Sequence, residues 1–130
     1  MIWSASIYYF NPEEYDRRGI ILDLLFPGTM GKDRNIYVFD ETDEEKLAIQ
    51  VVESSTNKFG KYSKAYVDNY FYLWSREKGH YKAIVSYEVK IQFYDVADLA
   101  NYLAIFGGRQ KARFFINSFI KFLRKNYSFK

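Results

Sequence analysis

The sequence of 130 residues contains no cysteine, one histidine and two prolines. The absence of cysteine excludes disulfides, thiolate nucleophiles and cysteine-based metal sites, and a single histidine excludes a multi-histidine metal centre. No uncharged stretch reaches the roughly 20 residues of a membrane-spanning helix. The serine hydrolase, zinc protease and dinucleotide-binding motifs do not occur either. The sequence therefore predicts no cofactor, no membrane association and no small-molecule substrate, and it favours a binding protein over an enzyme.

Aromatic side chains are unusually frequent. Tyrosine, phenylalanine and tryptophan make up 21% of the residues, and 48% of the residues are hydrophobic, which is typical of a folded globular chain. A length of 130 residues is the usual size of one domain, and no repeat or linker-like stretch divides the sequence. We therefore expect a single domain over residues 1–130. With no cysteine and no recognisable secretory signal, we expect it to reside in the cytoplasm.

Charge is distributed unevenly along the chain. The formal net charge is +3, but Asp98 is the last acidic residue. The other 12 of the 19 cations and all 16 acids lie in residues 1–98, which gives that part a net charge of −4. A basic segment attached to an acidic body predicts an anionic partner. The seven cations of the basic segment are Arg109, Lys111, Arg113, Lys121, Arg124, Lys125 and Lys130.

The hydrophobic pattern predicts an α+β fold that begins with a strand and a helix. Residues 2–10 are uncharged and aromatic, as is typical of a strand. Asn11, Pro12 and Glu14 form a helix-start signal, and the helix is expected to end near Phe26, before Pro27-Gly28. Residues 20–26 also fit a strand, so the end of this helix stays open.

Four further strands are predicted over residues 35–40, 46–53, 65–75 and 81–94. Residues 42–54 also fit a helix, but their β-branched side chains favour a strand. The clearest alternation of apolar and polar residues lies in the last strand, with one set facing a core and the other facing water. The apolar set is Val85, Tyr87, Val89, Ile91 and Phe93, and the polar set is Ser86, Glu88, Lys90 and Gln92.

Two helices are predicted at the C-terminal end. Asp95 is the expected cap of the first, Gly107-Gly108 separates the two, and the second covers about residues 109–126. The complete order is β-α-β-β-β-β-α-α. It corresponds to a mainly antiparallel sheet of about five strands, packed by one N-terminal and two C-terminal helices. The last helix carries one apolar arc: Ala112, Phe115, Ile116, Phe119, Phe122 and Leu123.

The basic face of the last helix is the leading candidate for a functional site. Cations neutralise phosphates, and exposed rings stack on unpaired bases. Phe114 falls among the cations, and Gly107-Gly108 precedes a helix N-terminus, where backbone N–H groups favour anions. An ordinary solvated helix face is the alternative interpretation. The residues predicted to contact nucleic acid are Arg109, Lys111, Arg113, Phe114, Lys121, Arg124 and Lys125.

Two other functions fit the sequence. Residues 58–82 interleave basic and aromatic side chains, which is typical of a protein interface or of a base-stacking sheet, although the RNA-recognition motif is absent. One alternative is therefore a protein-interaction module, either a homodimer or a viral protein that contacts a partner in the host cytoplasm. Glu88-Val89-Lys90 has the spacing of the E-x-K strand of PD-(D/E)-x-K nucleases. With Asp40 as a second carboxylate for Mg²⁺, a metal-dependent nuclease is the other alternative.

Overall fold

The computed structural model describes residues 5–9, 15–29, 35–96 and 102–127. Six strands in these ranges form one antiparallel sheet in the order β1-β6-β5-β4-β3-β2. The predicted α+β class is confirmed, and the described ranges hold six strands and two helices where about five strands and three helices were expected. The elements are β1 (Ala5–Tyr9), α1 (Tyr15–Leu25), β2 (Ile36–Glu41), β3 (Lys46–Asn57), β4 (Gly60–Ser75), β5 (Gly79–Tyr94), β6 (Tyr102–Phe106) and α2 (Arg109–Tyr127).

The helix predicted after Asp95 is wrong where the structure can be compared. Tyr102–Phe106 is a strand, inserted between β1 and β5. Asp95 lies after β5, where its backbone N–H donates to the Phe59 carbonyl oxygen at 2.8 Å. The three central residues 103–105 are all buried, and a continuous buried run carries no period of two that separates strand from helix. Residues 97–101 lie outside the described residues.

The first helix is confirmed and ends at Leu25, so residues 20–25 are not a strand. Its predicted start signal, Asn11, Pro12 and Glu14, lies outside the described residues. The helix considered over residues 42–54 is absent as well, because residues 46–57 form β3 and the short connection before them is a hairpin loop. The β-branched side chains there indicated the correct element.

Both helices pack on the same face of the sheet. The alternation predicted for β5 is confirmed over most of its length, since Val89, Ile91 and Phe93 are buried while Ser86 and Glu88 are exposed. Gln92 was expected to face water and is buried instead, with its amide hydrogen-bonded to that of Asn57. The Phe26 ring, just after α1, lies 6.5 Å from the Phe93 ring, and buried side chains of α2 join the same core. We call the opposite side the open face, because neither described helix packs on it. Its central side chains are Tyr62, Lys64, Tyr66, Glu88, Lys90 and Gln92.

Tyr37 connects β2 to α1 through a hydrogen bond, and its burial makes the stability of the protein fall at alkaline pH. Its hydroxyl donates to the Leu24 carbonyl oxygen. Burial, with a smaller contribution from Tyr127, raises the pKa of Tyr37 to about 12. An unfolded tyrosine ionises near pH 10, so the folded chain retains this proton over a range where the unfolded chain loses it. The stabilisation is complete below pH 10 and is lost as the pH rises towards about 12.

We therefore expect the free energy of unfolding to fall by about 1.4 kcal/mol per pH unit above pH 10 from this group alone. The measurement is urea unfolding of the wild type and of Tyr37→Phe over the alkaline range. The difference between the two isolates Tyr37 from the other tyrosines. Parallel stability curves for the two proteins would show that Tyr37 does not titrate as its burial indicates.

The hairpin of β4 and β5 extends well beyond the rest of the sheet. β3 pairs with β4 only as far as the pair Ile49 and Val67, and β6 pairs with β5 only over residues 90–93. Residues 68–75 and 79–86 therefore pair only with each other, in eight consecutive pairs. At about 3.3 Å per residue, this two-stranded segment is about 25 Å long. We call it the arm.

Candidate nucleic-acid interface

A glycine turn joins β6 to α2 and fixes where the basic helix begins. Gly107 and Gly108 have φ values of 139° and 99°, a region that favours glycine. A Cβ on Gly107 would lie 3.1 Å from the Glu88 carbonyl oxygen, so the chain passes close to β5 at this point. The helix then starts with the Ala112 N–H bonded to the Gly108 carbonyl oxygen at 2.9 Å. These glycines are thus required by the turn itself.

One arc of α2 anchors the helix on the sheet. Phe115 and Phe119 stack with ring centroids 6.2 Å apart and an angle of 8° between the rings, and the Phe122 ring lies 5.2 Å from that of Tyr37. The apolar arc predicted from the sequence is confirmed, because its six members are buried or pack against the buried core. The opposite arc, with the cations, consequently faces solvent.

Three of the seven predicted contact residues are engaged within the protein. The Lys121 ammonium lies 3.5 Å from an Asp40 carboxylate oxygen. The Lys111 ammonium lies 5.4 Å from the centre of the Tyr87 ring. Phe114 was expected to be exposed among the cations, and this is wrong: it packs edge-on against Phe39 of β2, with centroids 6.3 Å apart, and is partly buried. All three side chains therefore have a partner within the protein.

The other four predicted residues are exposed, and the described residues place no carboxylate beside them. Within the part of the chain that the structure describes, no carboxylate lies within 4.0 Å of Arg109, Arg113, Arg124 or Lys125. At 3.6 residues per turn, the three arginines fall within about 60° of the helix circumference, over about 22 Å of its length. Lys125 lies about 100° further round. We call Arg109, Arg113 and Arg124 the arginine stripe.

The stripe has the chemistry and dimensions of a phosphate-binding surface. Guanidinium groups pair with phosphate through two parallel N–H donors and are weakly hydrated, which favours them over lysine at such sites. A span of about 22 Å covers about six base pairs of duplex at 3.4 Å each. Between the arginines, Asn117 and Ile120 are exposed, so a polar donor and a small apolar surface complete the stripe.

In the described ranges, several cations of residues 58–82 have a carboxylate or an aromatic ring of the protein beside them, unlike those of the arginine stripe. Lys64 lies 3.5 Å from Glu53, and the Lys82 ammonium lies 4.2 Å from the centre of the Tyr70 ring. Lys58 and Lys78 likewise sit over Phe59 and Tyr81. The structure also divides this segment, because Lys64 belongs to the open face whereas Lys82 belongs to the arm. It does not form one continuous basic surface.

The structure does not bring together the residues of the nuclease interpretation. Asp40 pairs with Lys121 at the end of β2, whereas Glu88 is exposed on β5. Two strands separate β2 from β5, a distance of about 14 Å across the sheet. In the described residues, no three histidine or acidic side chains are grouped so that they could hold a metal ion. His80 is exposed near the end of the arm, opposite Trp74.

Comparison with known proteins gives no relative. No protein-family model matches the sequence, and neither the search of curated proteins nor the search of solved structures finds a significant match. In the ranges that the structure describes, neither helix combines the length and apolar character needed to cross a membrane.

Proposed function

We propose that this protein binds nucleic acid, without catalysing a reaction on it, through the arginine stripe and Lys125. The observation that carries the proposal is the exposure of four cations of α2 with no carboxylate partner in the described ranges. Lys121, Lys111 and Phe114 are removed from the contact set that the sequence suggested, because each has a partner within the protein. We also propose that the protein acts in the cytoplasm.

The chemistry of the stripe indicates contacts to the phosphate backbone. Arginine contacts to phosphates position a protein on the duplex but carry no sequence information themselves. The acidic body, with a net charge of −4 over residues 1–98, repels a polyanion elsewhere and orients it towards α2. Binding should therefore be largely independent of base sequence and strongly dependent on salt.

The proposal is tested by titrating labelled single-stranded and double-stranded DNA and RNA at several salt concentrations. Release of counterions from about four phosphates, one for each of the four cations, gives a slope of about −3.6 in a plot of log K against log salt for duplex DNA. We expect dissociation constants in the micromolar range at about 50 mM salt, rising steeply as salt is added. Failure to bind any of these nucleic acids at low salt would contradict the proposal.

Single replacements then locate the surface. Arg113→Gln should weaken binding several-fold for every sequence and reduce the salt slope by about 1. Lys121→Gln is the matched control, because it removes one cation from the same helix that Asp40 already partly neutralises. We expect a smaller change in both affinity and slope for the control. An equal effect of the two replacements would mean that net charge, and not the stripe, determines binding.

A further inference from the structure

The arm exposes apolar side chains on both of its faces. Along one face of the β4 strand lie Tyr70, Tyr72 and Trp74, and on the other lie Phe71 and Leu73. Tyr72 is 74% exposed and Trp74 is 65% exposed. Such exposure is unusual for tyrosine and tryptophan together, because monomeric proteins rarely leave large continuous apolar patches in water. The arm therefore carries the chemistry of an interface.

Among the described residues, the first part of the arm is joined to the rest of the protein at Asp68 and Tyr70, and Tyr70 packs against the core. The Asp68 carboxylate accepts hydrogen bonds from the Ala48 N–H at 3.1 Å and from the Ser86 hydroxyl at 2.7 Å, which joins the arm to β3. Further along, Lys82 lies beside the loop of residues 42–45, and at the turn the Lys78 N–H donates to the Ser75 hydroxyl at 3.0 Å. A two-stranded ribbon is marginally stable in water, and a third strand or a covering surface stabilises it.

The outer edge of β4 is open to another strand. Residues 69–75, Asn-Tyr-Phe-Tyr-Leu-Trp-Ser, contain no charged residue, no proline and no glycine. Beyond Val67 this edge has no strand partner in the described ranges. Natural sheets protect such edges with charges, prolines or bulges.

We propose that two copies of this chain dimerise by antiparallel pairing of residues 69–75 of β4 about a two-fold axis. The two arms would join into one four-stranded ribbon in the order β5-β4-β4-β5. A two-fold axis through Tyr72 pairs this residue with itself, Phe71 with Leu73, and Tyr70 with Trp74. A second copy fits because a contact about a two-fold axis requires a surface that is complementary to itself. A strand without charged residues does not repel an identical strand.

Contacts between side chains of the two copies add to the backbone pairing. Phe71, Tyr72 and Trp74 are 49%, 74% and 65% exposed, and in the ribbon each would lie beside an apolar side chain of the second β4 strand. Cross-strand pairs of aromatic side chains stabilise a sheet beyond its backbone hydrogen bonds.

The first test is the molar mass in solution by light scattering and sedimentation. We expect a dimer at micromolar concentration, and Tyr72→Lys should raise its dissociation constant by about 100-fold, because two like charges then meet at the axis. His80→Lys is the matched control, with the same charge added to the other strand, and it should remain dimeric. Tyr72 is exposed, so its replacement leaves the monomer folded, which circular dichroism would verify.

Cysteine replacements test the pairing directly, since the chain contains no cysteine of its own. Opposed residues of antiparallel strands have Cα atoms about 4.5–5.5 Å apart, which suits a disulfide. We expect Tyr72→Cys to form a disulfide-linked dimer under mild oxidation, and His80→Cys to remain largely monomeric on a denaturing gel. An axis shifted by one residue would transfer the cross-link to Phe71→Cys or Leu73→Cys and would leave the β4 pairing intact.

Different results would contradict dimerisation through the arm and nucleic-acid binding through the arginine stripe. A strictly monomeric wild type up to about 100 µM would overturn the dimer, and so would a dimer that Tyr72→Lys does not weaken. A monomer that uses the arm to bind lipid vesicles or nucleic acid would overturn it too. Arg113→Gln leaves the arm unchanged, so its effect on binding reports on the stripe alone.

Discussion

Replacing Phe115 by alanine should lower the free energy of unfolding by about 3–5 kcal/mol. This side chain is fully buried and stacks against Phe119, in the cluster that joins α2 to the sheet. Truncation removes the transfer free energy of the ring and leaves a cavity that the packed strands cannot close. Urea unfolding measures the loss. An unchanged slope of the free energy of unfolding against urea concentration would confirm that the native state remains compact.

Phe114→Ala is the matched control for this prediction. It removes the same atoms from the neighbouring position of the same helix, but Phe114 is only partly buried at the edge of β2. We expect a loss of about 1–2 kcal/mol, since part of this ring is already in water. Equal losses for the two variants would mean that α2 does not dock with the face described here, and the arginine stripe would then not face outward.

Gly60→Ala should cost about 3 kcal/mol or more, which is far above the usual effect of a glycine replacement. Gly60 begins β4 with a φ of 142°, and a Cβ built on it would lie 2.3 Å from the Phe93 carbonyl oxygen and 2.7 Å from the Asp95 nitrogen. Both neighbours are backbone atoms, so neither moves aside by a side-chain rotation. The hairpin between β3 and β4 has to separate from the end of β5 to admit the methyl group.

Gly79→Ala separates the two causes of this cost. Gly79 also has a positive φ, of 68°, but nothing lies within 4 Å of a Cβ at that position. It therefore reports the conformational strain alone, about 1–2 kcal/mol. Thermal or urea unfolding of the two variants provides the comparison. If Gly79→Ala destabilises the protein as much as Gly60→Ala does, the close backbone contact at Gly60 is not the reason for its cost.

Local periodicity predicted those elements in which one face is buried and the other is wet. Strand β5 alternates along most of its length, and α2 carries an unbroken apolar arc, so both were identified from the sequence. Strand β6 was not, because residues 103–105 are buried on both faces and the spacing of Leu99, Leu103 and Phe106 also satisfies a helix. Its pairing with β1 brings together residues about one hundred positions apart, which no local pattern records.

Only part of the candidate site could be predicted, because a local pattern does not record contacts between distant residues. A helical wheel places cations opposite an apolar arc, but it does not show what stands beside the helix. Asp40 reaches Lys121 across 81 positions of sequence, and Phe39 covers Phe114 from the same strand. The arm also escaped the sequence argument, because residues 69–75 resemble any strand of a covered sheet. Only the pairing shows that β3 and β6 end before they reach it.

An NMR titration of the labelled protein with a short oligonucleotide at low salt tests most directly whether the arginine stripe binds nucleic acid. We expect the largest shift changes at the exposed residues of α2 that form or lie between the stripe, Arg109, Arg113, Asn117 and Arg124, and a smaller change at Lys121. The arginine side-chain N–H signals should move with the backbone signals if phosphates are bound. Changes concentrated at Lys64 and Tyr66 on the open face, with α2 unaffected, would contradict binding by the stripe.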